Sequence, residues 1–165
     1  MSITLYNLAP VPSNEPARNR AVHASGLIGN IDNPALGEIA EHAKLLFHAE
    51  WAGVALIFDT VQEVIASSGG RLGRYDRARS MSAHAILTPS EVLCLPDAEG
   101  DERFRGNPFV RVGLIRFFVA APIIDAQGYA LGALCVSKRS PQKVIDPVHV
   151  TKLQALAAQV ARTVH

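Results

Sequence analysis

IRFFVAAPIIDAQGYALGALCVSK, residues 115–138, decides the fold of this chain. It consists of two apolar runs around a turn. Residues 117–124 and 129–136 carry almost no polar side chain. A strand with one wet face alternates polar and apolar residues. Neither run alternates, so both faces are expected to be covered. The pair reads as the inner hairpin of a sheet with a layer on each side. Asp125-Ala126-Gln127-Gly128 supplies the turn, with Gly128 able to take a positive φ at little cost. Pro122 cannot donate to a ladder and predicts a bulge or a locally unpaired edge; Gly132 predicts a bulge or a close backbone approach.

Upstream of the hairpin the chain reads as two helices and then two strands. Residues 1–13 have two prolines and no periodicity, which predicts a flexible arm ahead of a single domain over residues 14–165. Asn14-Glu15-Pro16 is a helix start: a capping residue, an acid in the first turn, and a proline whose missing N–H costs nothing there. Ala17, Ala21, Ala24 and Ile28 follow at helical spacing, and Gly26 and Gly29 end the run. Asn33-Pro34 opens a second helix whose apolar stripe is Leu36, Ile39, Ala40, Ala43, Leu46 and Phe47. WAGVALIF, residues 51–58, predicts a central strand, and residues 63–67 predict its neighbour.

The signal changes at residues 67–80. SSGGRLGRYDRARS has no period and predicts a long mobile loop leading into a short segment at 81–87. Residues 91–95 read as a third strand, and DERFRGNPFV at 101–110 as a helical turn and a loop broken at Asn107-Pro108. Asp146-Pro147 opens a last helix with Val150, Leu153, Ala157, Val160 and Val164 on one face. That spacing is near a coiled-coil seam, so this helix is expected to cover the sheet, to pair with a second copy, or both.

Composition excludes several classes. A net charge of +1 gives no overall drive toward nucleic acid or an anionic membrane. No apolar run approaches the roughly 20 residues that cross a bilayer. The N-terminal residues lack a basic region and a long apolar core, so they do not read as a signal peptide. Cys94 and Cys135 both sit in apolar runs and read as reduced core thiols of a cytoplasmic protein.

Five stretches in order — SAHAIL, VLCLPDA, DERFRGNPFV, IRFFVAAPI and GYALGALCVSKRSP — resemble the GAF domain. The likeness is to the sensory GAF domains upstream of bacterial histidine kinases and diguanylate cyclases, and it extends over residues 14–165. It implies an α/β (α+β) fold with an antiparallel sheet of about five to six strands. The terminal helices would lie on one face. Loops and short helices from about residue 68 to 112 would roof a pocket on the other.

The resemblance also frames the chemistry. Bilin-binding members use a pocket cysteine, and residues 97–116 contain none. The Asn-Lys…Phe…Asp…Glu motif of cyclic-nucleotide binders is absent. Haem binding would need an axial histidine, for which His84 is the only roof candidate; the competing reading is a structural hydrogen-bonder. The methionine-(R)-sulfoxide reductases of this fold need roof cysteines, which residues 71–87 and 104–116 lack. The expectation is therefore a non-enzymatic sensory module with no assigned cofactor. Its pocket lining would be Ser67, Met81, His84, Phe104, Asn107, Arg116, Phe118 and Ala120.

Eight of the sixteen Lys and Arg residues lie between Arg71 and Arg116, and all eight are arginine. Either an anionic small ligand sits under Arg71, Arg74, Arg103 or Arg116, or Asp76, Glu91, Asp97, Glu99, Asp101 and Glu102 balance them. Output would run through the terminal helices of a homodimer, with a separate signalling partner and no nucleic acid or membrane. Two alternatives stand beside this reading: an interaction module with a vestigial pocket, and a cysteine-independent enzyme.

Overall fold

A computed structural model describes residues 6–31 and 33–164; the first five residues of the expected arm lie outside it. Six strands form one sheet: β1 (Trp51–Phe58), β2 (Val61–Ser68), β3 (Gly73–Asp76), β4 (Leu93–Leu95), β5 (Phe117–Ile124) and β6 (Ala130–Lys138). Their order is β3-β2-β1-β6-β5-β4, and every pairing is antiparallel. The five α-helices are α1 (Glu15–Ala24), α2 (Pro34–Leu46), α3 (Ser82–Ala85), α4 (Pro108–Arg111) and α5 (Pro147–Ala161).

The expected inner hairpin is β5–β6, and β1 zips onto its open side from Trp51↔Ser137 to Leu56↔Gly132. The missing polar alternation has its cause here. Val54, Leu56, Val119, Ala121, Leu134 and Val136 pack against α2 and α5 through Leu36, Ile39, Leu153 and Val160. Ala55, Phe118, Ala120, Ala133 and Cys135 face the other way, onto Met81, Phe104 and Val110 of the roof. Period two therefore survives as two apolar faces instead of one.

Pro122 lies where β5 becomes an edge, because β4 pairs only with Phe118–Ala120. The register slips between Ile123 and Ile124, so that Gly132 faces Ile123 while Ala130 faces Ile124. Leu131 is the unpaired residue of the bulge, and Gly132 beside it is a point of close approach. A Cβ there would stand 2.0 Å from the Ala55 carbonyl oxygen and 2.8 Å from Leu56 Cα.

Three expectations need correction. The stretch read as a mobile loop contains β3, which pairs with Val61–Val64, and a 3-10 turn at Arg77–Arg79. Its only ladder is on an exposed edge, so no apolar alternation marks it. Asn14 precedes α1 without capping it through its side chain, whereas Asn33, Asn107 and Asp146 do cap their helices. Cys94 is exposed, not a core thiol; only Cys135 is buried. The α5 stripe covers the sheet as expected, through Leu153, Leu156, Ala157 and Val160. Among the described residues no helix is long and apolar enough to cross a membrane.

Gly132→Ala should destabilise the fold by ~2 kcal/mol or more, because the new methyl meets β1 backbone that cannot rotate away. Urea unfolding measures this. A variant as stable as the parent would contradict the close packing of β1 on β6.

Candidate functional site

On the roof side of the sheet a cavity of about 630 Å³ opens between the strands and the segments that cross them. Trp51, Val64, Phe118 and Ser137 form its floor. Tyr75 of β3, Met81 and Ser82 at the start of α3, and Phe109, Leu114 and Ile115 around α4 form its walls. The lining is largely apolar with a few polar and charged groups, including Gln62, Arg71, Asp76 and Arg79. A cavity of this size and character suits a small organic molecule.

Local sequence explains the walls. Asp76 accepts from Ala78 N–H and so starts the 3-10 turn that ends β3. Asn107 accepts from Phe109 N–H at 3.0 Å, which caps α4, and donates to the Arg79 carbonyl at 3.0 Å. One fully buried asparagine thus ties the two roof segments together.

The expected site residues separate into four groups. Met81 and Phe118 line the cavity. Ser67 is not in the lining but holds a residue that is: its hydroxyl accepts from the Trp51 indole N–H at 2.8 Å. His84, Phe104, Asn107 and Ala120 are buried behind the lining. The His84 and Phe104 rings meet edge to face at 4.6 Å, and the Tyr6 hydroxyl lies 3.5 Å from His84 Nε2. Burial pushes the His84 imidazole below its ordinary pKa, and the nearby Arg103 charge adds to this while Asp101 opposes it. Arg116 turns away from the cavity to a two-point pair with Asp97, both bonds 2.9 Å, and to Glu99 at 3.1 Å.

The other arginines are mostly matched as well. Arg74 pairs with Glu63, Arg79 with Asp76 and Arg103 with Asp101. Arg71, on the cavity rim, has no ion pair among the described residues. Sequence reasoning missed Trp51, Tyr75 and Phe109 as lining residues. For Trp51 a signal existed: it shares a strand face with Gly53 and Ala55, so a large ring there has empty space beside it.

Cys135 lies beyond the wall, with its thiol 3.1 Å from the hydroxyl of the lining residue Ser82. Burial pushes this thiol up to about 12, despite the Ser82 contact, so it is not a thiolate at neutral pH.

A buried charge cluster connects the cavity wall to α1. Arg18 is 1% exposed; it holds Glu15 through two bonds of 2.8 and 2.9 Å and donates to the Ala130 carbonyl at 3.0 Å. Arg77, from the 3-10 turn, reaches the same carboxylate and donates to the Asp59 carbonyl at 2.9 Å. Burial works against the Glu15 charge, but the bonds and charges of Arg18 and Arg77 outweigh it and hold its pKa at about 2.

An antiparallel sheet with helices on one face, and a roofed cavity on the other, defines a small α/β domain. Residues 33–164 match the family model of the GAF domain, and the chain belongs to that family. Such domains are generally sensory or regulatory. The chain is 32% identical over 157 residues to a cyclic di-GMP phosphodiesterase of Pseudomonas aeruginosa, covering 94% of this chain and 27% of that protein. It thus spans about a quarter of that relative's length. The fold matches the GAF domain of an Acinetobacter phosphoenolpyruvate-protein phosphotransferase with a TM-score of 0.66 at 16% identity, covering 91% of this chain and 89% of that one. The corresponding Coxiella burnetii domain gives 0.66 at 17% identity, covering 90% and 88%. α1 lies ahead of the matched residues yet packs on β1 and β6.

Glu15→Gln should cost about 3 kcal/mol at neutral pH, because it leaves buried guanidinium charge unpaired. The folded-state pKa of Glu15 lies below its ordinary 4.5, so its contribution is present above that value and is lost as pH falls toward about 2. The stability gap between parent and variant should therefore narrow across that window in urea titrations. A gap independent of pH would contradict the cluster.

Proposed function

We propose that this domain is a sensor that binds a small molecule in the roofed cavity and reports its presence through α1 and the other end helices. It acts by binding and not by catalysis, and it works in the cytoplasm. The observation that carries this reading is the double role of residues 75–80. Tyr75, Asp76, Arg79 and Ser80 line the cavity, and Arg77 among them grips Glu15 at the start of α1. A ligand that moves this segment must move or strain the Glu15 cluster. One amino nitrogen of Arg77 is buried without an acceptor among the described residues. The grip is therefore incompletely satisfied, which suits an element that trades between two arrangements.

The phosphodiesterase relative supports cyclic di-GMP turnover as the signalling output that such a sensor would govern. Exposed Leu45 and Val148, near the Phe47–His149 ring contact between α2 and α5, offer an apolar contact for a homodimer through the end helices.

Native mass spectrometry and a thermal-shift screen against a metabolite panel should identify a ligand that raises the melting temperature. Arg77→Gln should retain that ligand but lose the ligand-induced change in hydrogen exchange at residues 15–24. No ligand across the panel would overturn the sensor reading; a dimer by light scattering would then favour the interaction module with a vestigial pocket, and a monomer at high concentration would count against the homodimer.

A further inference from the structure

The Trp51 side chain sits in a place made for it. A Cβ on Gly53 would stand 2.5 Å from indole Cζ2, and a Cβ on Gly70 would stand 2.6 Å from indole Cδ1. Neither glycine has a positive φ, so neither is needed for backbone conformation. Their common effect is room for the indole, which lies over β1 between them. The ring is then fixed by its own N–H, donated to the Ser67 hydroxyl at 2.8 Å. An aromatic ring seated against Gly53 and Gly70 and held by one hydrogen bond loses little freedom when something stacks on it. Phe118 and Val64 share the cavity floor with it, and Met81 stands in the wall. Next to Gly70, Arg71 lines the cavity with no carboxylate partner among the described residues, whereas Arg79, also in the lining, is held by Asp76 at 2.7 Å.

We propose that the cavity takes a planar aromatic molecule bearing one anionic group, its ring stacked on Trp51 and its anion met by Arg71. This rests on the sensor reading above and narrows it. The ring supplies affinity through stacking and displaced water. The guanidinium selects carboxylate or phosphate over neutral analogues. An aromatic carboxylate and a nucleoside monophosphate share this chemistry.

Trp51 is the chain's single tryptophan, so its emission reports the floor of the cavity directly. The full chain is titrated with 1-naphthoate and with GMP, and against them with 1-naphthalenemethanol, guanosine, acetate and inorganic phosphate, by fluorescence and calorimetry. At least one of the two ring-bearing anions should shift or quench Trp51 emission and bind about tenfold more tightly than its neutral ring and its ringless anion. Which of the two binds distinguishes the carboxylate from the phosphate source. Arg71→Gln should reduce that affinity to the level of the neutral ring, and Trp51→Leu should reduce it by about tenfold or more. Trp51→Phe, which keeps a ring, should recover part of the loss, and the wild-type emission needs no variant at all. Neutral rings that bind as well as the acids overturn the role of Arg71. Silence of Trp51 toward every probe overturns the proposal. If the metabolite screen yields a ligand that leaves Trp51 emission unchanged, this inference fails while the sensor reading stands; if it yields none, both fail.

Discussion

Strands β1 and β6 have no wet face. Each is flanked by a strand on both edges and by apolar layers above and below, and this double burial constrains everything around it. Every backbone N–H and C=O in such strands must find a partner within the sheet, since water cannot reach them. Every side chain must also fit between two packed layers. The small residues Ala55, Ala120 and Ala133 on the roof side set how closely α3 and α4 approach. Gly132 lets the β5–β6 bulge settle against the β1 backbone. Trp51 and Phe118, large side chains on the same face, line the cavity.

Charge is handled differently on the two sides of this sheet. The roof arginines mostly find carboxylates at the surface, where each pair is solvated and contributes little. The cluster of Glu15, Arg18 and Arg77 is buried, and there the cost of desolvation is offset only by close, directional bonds. Arg18 satisfies this with two bonds to one carboxylate and a third to the Ala130 carbonyl. The cluster also joins α1, the β1–β2 turn and the wall of the cavity at a single carboxylate. The hold of the roof segment on α1 thus depends on that one group.

Much of the architecture was legible because double burial leaves a plain mark. Unbroken apolar runs at 51–58, 117–124 and 129–136 read correctly as inner strands, and Asn33-Pro34 and Asp146-Pro147 as helix starts. β3 was not legible, because an exposed edge strand is held by backbone pairing that any side chain permits. The lining of the cavity was partly legible. Met81 and Phe118 were found from their places in the chain, whereas His84, Phe104 and Asn107 proved to support the wall from behind.

The amino-acid sequence by itself determined the two-faced core, the hairpin and its turn, the family, and the near balance of arginine with acid. Those properties follow from local composition and period, which burial and chain geometry translate directly. Only the tertiary structure decided which side chains meet. Arg116 turned to Asp97 and Glu99, Arg77 crossed 62 positions to Glu15, and Trp51 came to lie between Gly53 and Gly70 beside Arg71. Such partnerships depend on how strands distant in sequence align in register and on which face of the sheet each residue falls. No local pattern encodes them, because the chain must close long loops before any of those pairs can form.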